Sequence, residues 1–337
     1  METMIRGLLL SLALVSVCFT QTPETYAEKL GWGKNDRVLI LHIDDAGMSY
    51  DTNAAVKAVL ENGAAHSLSV MMPTPWVPQI VRYIKEHPGT DAGLHLTLTS
   101  EWREYRWGPL AGAAAVPGLT DPEGALWRGV DSVVKNSNPD EVDREIRAQL
   151  NRAEKMGFHP THLDSHMGTL FASPGFLEKY VSLGIEKQIP VMMPGGHNSY
   201  LKNDAEGSES RLAPLRKLAA RLWDSGLPVL DDLHNTSYSW KLPAERDDEH
   251  LRAWRTKLYM DTLRQLKPGV TMVIMHCTSP TAVFAQISDS GDLRKADMLA
   301  MLDPAFNAFL RKEDFILTTW RELHERRSAR SPHKNQQ

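Results

Sequence analysis

The length and composition of the chain are those of an ordinary globular protein. Its 337 residues suffice for one large α/β domain or two modest domains. With 42% hydrophobic and 24% charged residues, a formal net charge of −4 and no long basic run, the chain is a poor candidate for binding nucleic acid.

The N-terminal residues have the pattern of a secretory signal peptide. Arg6 precedes a short apolar run from Leu8 to about Phe19, after which the chain becomes polar. A membrane span needs roughly 20 apolar residues, so we expect a cleaved signal peptide at about residues 1–20, a secreted or periplasmic protein and no stable membrane span. A retained membrane anchor is the alternative. Cys277 would be the only cysteine left after cleavage, which excludes an internal disulfide.

Apolar runs of strand length follow in a regular series. Two of them, Val38–Ile43 and Val270–Met275, are almost continuously apolar, which is typical of strands buried on both faces of a parallel sheet. The runs predicted as strands are Val38–Ile43, Ser67–Met72, Ala92–Leu98, Thr161–Leu163, Pro190–Met193, Pro228–Leu230, Val270–Met275 and Phe315–Thr319. About eight strands alternating with helices predict an α/β fold, a (β/α) barrel that is either complete or irregular.

Helix-type patterns separate these runs, and the clearest begins at Pro139. Asn138 can cap this helix and Asp140 suits its positive end. Gly157 can end it. Further helices are predicted at Asn53–Asn62, Arg211–Trp223 and Leu251–Leu266.

Two stretches have the composition of long loops. Glu101–Asn138 is rich in Gly, Pro and Ala and carries three tryptophans, and Gly195–Ser210 is polar and Gly-rich. Long loops in compact domains are often lids or binding loops. The polar residues 328–337 predict a disordered tail.

Most of the predicted strands run into aspartate or histidine. Because all strands of a parallel barrel end on one face, which hosts the active site, we expect these side chains to converge on one pocket. Gly47 is expected to turn the chain so that both carboxylates of the Asp44–Asp45 pair face it. The residues at these strand ends are Asp44, Asp45, His95, Asp164, Ser165, His166, Asp231, Asp232, His234 and His276.

These residue types can support metal-assisted hydrolysis. One Asp and two His form a familiar ligand set for a divalent metal, and such a set leaves positions open for water and substrate. An additional carboxylate can take a proton from the water and a further His can protonate a leaving group. Each residue also has an ordinary explanation, because adjacent aspartates often make turns and single histidines are often hydrogen-bonded in cores. Cys277 is most simply a packing residue.

Four segments together resemble the YdjC-like (ChbG/HpnK) carbohydrate deacetylases. They read HIDDAGMS from His42, GLHLTLTS from Gly93, PTHLDSHMGT from Pro160 and VIMHCTSP from Val273. The resemblance implies an irregular TIM-like barrel in a single domain, at about residues 28–327. It also implies removal of an acetyl group from an N-acetylated carbohydrate, a divalent metal cofactor (Mg or Zn) and a possible homodimer.

The resemblance assigns roles to five residues at the strand ends. It implies that Asp45, His95 and His166 bind one divalent metal ion. Asp44 matches the general base of the family. His276 matches the histidine that acts as general acid.

Other positions in these segments have open roles or depart from the family pattern. The role of His162 stays open, and Asp164 is a candidate for orienting a histidine ligand. Many family members read NADDFG where this chain has HIDDAG, so His42 and Ala46 differ. Many also read DSHHHVH or HPG where this chain has DSHMGTL or HCT. These departures bear on the substrate more than on the metal ligands.

Three functions are therefore considered. The first is a secreted metal-dependent hydrolase that removes an N-acetyl group from an amino sugar or oligosaccharide. The second is another metal-dependent hydrolase of sugars or amides that uses the same ligands. The third is a non-catalytic glycan-binding protein with a vestigial site. Metal content and the released product distinguish them.

Overall fold

Strand β1 (Arg37–Ala46) lies at the centre of a parallel sheet in the computed structural model, which describes residues 24–203 and 209–330. Within those residues the sheet has seven strands in the order β4-β3-β2-β1-β6-β5, and β7 pairs with β1. The remaining strands are β2 (Ser67–Val70), β3 (Asp91–Leu96), β4 (Leu163–Ser165), β5 (Asp232–His234), β6 (Gly269–Met275) and β7 (Ile316–Leu317). The predicted signal peptide lies outside the described residues.

Two predicted strands are replaced by single bridges. Pro190–Met193 forms no strand, but parallel bridges join Val191 to β4 and Pro194 to Leu230, just before β5. Pro228–Leu230 also lies outside a strand, because β5 begins at Asp232, two residues after Leu230. Proline cannot donate a ladder hydrogen bond, which explains why pairing is limited in both Pro-containing runs.

Helices follow the strands and cover the sheet. The α-helices are α1 (Tyr26–Lys29), α2 (Tyr50–Asn62), α3 (Val77–Glu86), α4 (Val130–Asn136), α5 (Pro139–Lys155), α6 (Pro174–Lys187), α7 (Ser199–Asn203), α8 (Glu209–Asp224), α9 (Asp248–Arg264), α10 (Phe284–Ile287), α11 (Gly291–Met301), α12 (Pro304–Lys312) and α13 (Trp320–Ala329). Short 3₁₀ helices occur at Pro117–Leu119, His166–Phe171 and Ser237–Ser239. The structure confirms the predicted start of α5, where the Asn138 side chain accepts hydrogen bonds from the Asp140 and Glu141 amides.

Parts of the predicted loops and tail are helical. The predicted loop Glu101–Asn138 contains α4, and the predicted loop Gly195–Ser210 contains α7 and the start of α8. Helix α13 continues through Ala329, so the first two residues of the predicted tail are helical. None of the helices in the described ranges is both long and apolar enough to cross a bilayer.

Strand β1 is buried on both faces, as its apolar sequence predicts. Leu39, Leu41 and Ile43 belong to the larger core cluster. Val38 and Ile40 pack in a second cluster on the opposite face, together with residues of β6 and α13. This two-sided packing fixes the central strand and therefore the position of the aspartates at its end.

Candidate active site

The end of β1 brings two adjacent carboxylates into the same pocket. Successive residues of a regular strand point to opposite faces. Here the pairing with β2 becomes irregular between Ile43 and Ala46, and Asp45 adopts a left-handed φ of 65°. Gly47 has a φ of 89°, and a Cβ there would lie 2.9 Å from Val77 Cγ2. The turn expected from Gly47 alone is thus made jointly with Asp45, a residue type that tolerates this conformation.

Asp45, His95 and His166 form a compact set of ligand-type atoms. Asp45 Oδ1 lies 3.2 Å from both His95 Nε2 and His166 Nδ1, and these two nitrogens are 3.1 Å apart. Ligand bonds of about 2.1 Å place neighbouring donor atoms about 3.0–3.4 Å apart in octahedral or tetrahedral sites. Asp45 Oδ1 has no hydrogen-bond donor among the described residues. The spacing and the donor set therefore fit a divalent metal ion.

A buried carboxylate holds the far side of His95. Strands β3 and β4 pair in a register that aligns His95 with Asp164, and the His95 Nδ1–H donates to Asp164 Oδ1 at 2.6 Å. Burial alone would raise the pKa of Asp164, but His95 and His42 hold it well below its usual range. Asp164 thus stays ionised and leaves His95 Nε2 directed at Asp45.

His42 connects this carboxylate to Asp44. Its Nε2 lies 3.1 Å from Asp164 Oδ2 and 3.2 Å from Asp44 Oδ1, and its Nδ1 lies 2.8 Å from Ser67 Oγ. Burial alone would lower the pKa of His42, but the nearby carboxyl groups of Asp164 and Asp44 raise it to about 9. His42 is therefore a cation between two anions. In the sequence, His42 stands out only as a departure from the family pattern.

His166 has a different partner, Glu101, which the sequence did not identify. The His166 Nε2–H donates to Glu101 Oε1 at 2.9 Å. Burial alone would lower the pKa of His166, but Glu101 and Asp45 raise it to about 9. The only sequence signal for Glu101 is a charged residue directly after the GLHLTLTS segment, and that signal does not specify a contact.

His276 completes the pocket beside Asp44. The register of β1 and β6 aligns Ile43 with Met275, so that the next residues, Asp44 and His276, are neighbours. Asp44 Oδ2 lies 3.8 Å from His276 Nε2. The His276 side chain is 16% exposed, and the surrounding protein lowers its pKa by desolvation. Its backbone N–H donates to Asp297 Oδ2 at 2.9 Å.

Arg294 on α11 provides a buried positive charge that the sequence pattern did not reveal. Its Nη2 lies 2.8 Å from Asp45 Oδ2, and its Nε–H donates to Ser290 Oγ at 2.9 Å. Burial would raise the pKa of Asp45, but Arg294, His166 and His95 hold it well below its usual range. Asp45 is therefore an anion whose two oxygens face different partners.

The residues at the end of β5 do not join this pocket, contrary to the sequence-based expectation. Asp231 accepts hydrogen bonds from the backbone of Tyr26 and Ala27 and so caps α1. Asp232 accepts from the Tyr200 amide. The physical reason is register, because β5 aligns His234 with Val273, three residues before His276. Of the five strands that end in Asp or His, β1, β3, β4 and β6 end at the pocket, whereas β5 ends before it.

Comparisons with known proteins define the class to which this fold and site belong. Residues 38–312 match the YdjC-like protein family. The chain is 31% identical to a carbohydrate deacetylase of Thermus thermophilus over 299 residues, which cover 88% of this chain and 97% of the relative. It is 22% identical to a carbohydrate deacetylase of Thermoanaerobacter pseudethanolicus over 284 residues, covering 84% and 98% of the two chains.

A solved structure supports the fold. A protein of Enterococcus faecalis V583, named for cellobiose-phosphate cleavage, superposes with a TM-score of 0.68 at 18% identity and covers 86% of this chain and 99% of that chain. The chain therefore belongs to the YdjC-like protein family, and the resemblance found in its sequence segments is confirmed.

Proposed function

We propose that the chain is a secreted, metal-dependent hydrolase that removes an N-acetyl group from an amino sugar or oligosaccharide. The main observation behind this proposal is that three residues of metal-ligand type, one further carboxylate and one further histidine lie in a single pocket. These residues are Asp45, His95 and His166, with Asp44 and His276 beside them. The names of the two deacetylase relatives support the reaction.

Asp45, His95 and His166 would hold one divalent ion, Mg²⁺ or Zn²⁺. When bound, such an ion supplies Lewis acidity to the acetamide carbonyl and lowers the pKa of a water molecule. Asp45 supplies a full negative charge because Arg294 keeps it ionised. Both histidines would bind in the neutral form.

Asp44 and His276 would move the proton of the hydrolysis. Asp44 Oδ1 is held by His42, which leaves Oδ2 to accept a proton from the attacking water. Burial lowers the pKa of His276, so its imidazole is neutral at pH 7 in the free protein. The proton that reaches the leaving amine nitrogen would therefore pass from Asp44 Oδ2 to His276 Nε2, across a separation of 3.8 Å, and then to the amine.

The substrate and the setting of the reaction follow from other parts of the chain. Trp102 packs against His166 and is buried together with Trp107, whereas Tyr238 packs edge-on against His276 and remains exposed. The exposed aromatic ring of Tyr238 suits the apolar face of a sugar ring. We further propose that the sheet belongs to an irregular TIM-like barrel, and that the predicted signal peptide directs the chain to the periplasm or exterior.

Replacing Asp44 tests the proposed division of roles. In Asp44→Asn we expect acetate release from N-acetylated sugars to fall by about 10²–10⁴-fold, because the base is lost. Bound metal per chain should be unchanged, since Asp44 is not a ligand in this proposal. The control is Asp143→Asn, which removes a carboxylate paired with Arg147 on α5 and should retain activity.

The outcomes separate the alternatives. Full activity or loss of metal in Asp44→Asn would contradict the role given to this residue. Release of reducing sugar without acetate would favour another hydrolase. A chain that binds no metal and releases neither product would favour a glycan-binding protein.

A further inference from the structure

The two histidines of the proposed metal site present opposite ring nitrogens to Asp45. His95 presents Nε2, whereas His166 presents Nδ1, each at 3.2 Å from Asp45 Oδ1. On the far side of each ring lies a carboxylate. For His95 this is Asp164 at 2.6 Å, and for His166 it is Glu101 at 2.9 Å. The choice of ligand nitrogen therefore differs between the two rings.

Glu101 is held in place by the residue before it. The Ser100 amide donates to the Trp127 carbonyl at 2.8 Å, and Ser100 Oγ accepts from the Trp107 amide at 3.0 Å. Arg106 Nε–H donates to the same hydroxyl at 3.2 Å. These contacts join Ser100 to residues 106, 107 and 127 of the loop, so Glu101 enters the site from an anchored backbone.

Among the described residues, Glu101 is the acceptor that lies within hydrogen-bond distance of His166 Nε2. The Glu101 side chain is 21% exposed and borders a cavity of about 420 Å³ that also touches Arg103 and residues 285–290. Trp102 packs against His166 with its ring centroid 6.3 Å away, but its indole N–H can only donate. With a shorter side chain at position 101, water would be the remaining acceptor.

We propose that Glu101 is the positioning residue that selects Nδ1 of His166 as the ligand atom. A neutral imidazole carries one N–H, and a carboxylate can only accept, so Glu101 holds this proton on Nε2 and leaves the Nδ1 lone pair free. The inference rests on the proposed metal site but concerns a residue outside its ligands. Carboxylates in this position typically improve metal affinity by about 10–100-fold.

Zinc affinity and histidine tautomers test this role without any enzymatic assay. Zn²⁺ is titrated into the chelator-treated protein against a competing chelator. In Glu101→Ala the dissociation constant, corrected for the proton that zinc displaces from His166, should rise by about 10–100-fold. Glu101→Gln keeps an amide oxygen that can accept from Nε2–H, and should restore affinity to within about fivefold of the native chain. Glu104→Ala, an exposed change in the same loop, should have no effect.

Long-range ¹H–¹⁵N spectra of histidine-labelled, zinc-loaded protein provide the second readout. His95 should carry its proton on Nδ1 and His166 on Nε2. Equal zinc affinity in Glu101→Ala and the native chain, a Glu101→Gln variant as weak as Glu101→Ala, or a proton on His166 Nδ1 would each overturn the inference. If the native chain binds no zinc at all, the proposed metal site itself fails, which is a separate result.

Discussion

The two histidines of the candidate site are supported in the same chemical way by different parts of the fold. The inner arm consists of His95, Asp164 and His42, which lie on or directly beside paired strands and are buried. The outer arm consists of His166 and Glu101. Its carboxylate comes from a loop and is partly exposed.

This difference shows that strand register positions one carboxylate of the site, whereas hydrogen bonds within a loop position the other. Register places Asp164 opposite His95 and needs no further contact to do so. Glu101 reaches His166 only because the loop is anchored at Ser100. We therefore expect changes in the inner arm to lower both metal affinity and folding stability, and changes in the outer arm to lower mainly metal affinity.

Asp45 contacts the histidine of each arm, so its replacement should have the largest effect on metal affinity. In Asp45→Asn we expect zinc affinity to fall by more than about 10³-fold, because the one anionic ligand is lost and Arg294 is left without its ion pair. Asn tolerates the left-handed φ of 65° at this position, so the fold should persist. Competition titration measures the affinity, and circular dichroism checks the fold. Zinc binding of native strength would exclude Asp45 as a ligand.

The inner arm is tested by Asp164→Asn. We expect zinc affinity to fall by about 10–100-fold and the free energy of unfolding to fall by about 2–4 kcal/mol. The reason is that His95 and His42 are both buried and each loses one of its carboxylate partners. Urea denaturation of the metal-free protein measures the stability. Glu101→Ala is the matched variant and should lose less stability than Asp164→Asn, because Glu101 is partly exposed and contacts only one of the two proposed histidine ligands. Equal losses in the two variants would contradict the distinction between the arms.

The pH dependence of zinc binding should show the contribution of the outer arm, and this is the smallest of the expected effects. In the metal-free protein the pKa of His166 is raised to about 9, so the ring is protonated at neutral pH and zinc must displace that proton. Affinity should therefore rise at least about tenfold per pH unit between pH 6 and 8. Glu101→Gln removes the main charge that raises this pKa, so its pH dependence should be shallower. A native chain whose zinc affinity is independent of pH would contradict this expectation.

Much of the site at the strand ends could be predicted from the sequence, because the strands of a parallel sheet end at the same edge. Asp44, His95 and His276 follow or terminate apolar runs, and strand register brings them together. Asp45 also needs the irregular pairing and the left-handed backbone at the end of β1. The same rule failed for His234, since a strand end is useful only if its register reaches the pocket.

The outer contacts could not be predicted because they depend on tertiary packing. Glu101 lies in a long loop, and its direction follows from hydrogen bonds to Ser100 that the sequence does not specify. Arg294 lies on α11, where its ion pair with Asp45 reflects the placement of a helix against the sheet. The left-handed turn at Asp45 was likewise assigned to Gly47, because an Asp at positive φ has no clear sequence signal.

The most direct test of the account is acetate release from N-acetylated mono- and oligosaccharides by chelator-treated protein before and after metal is restored. We expect no acetate release after chelation and full recovery with one equivalent of Zn²⁺ or Mg²⁺ per chain. Acetate release that is unaffected by chelation would contradict it.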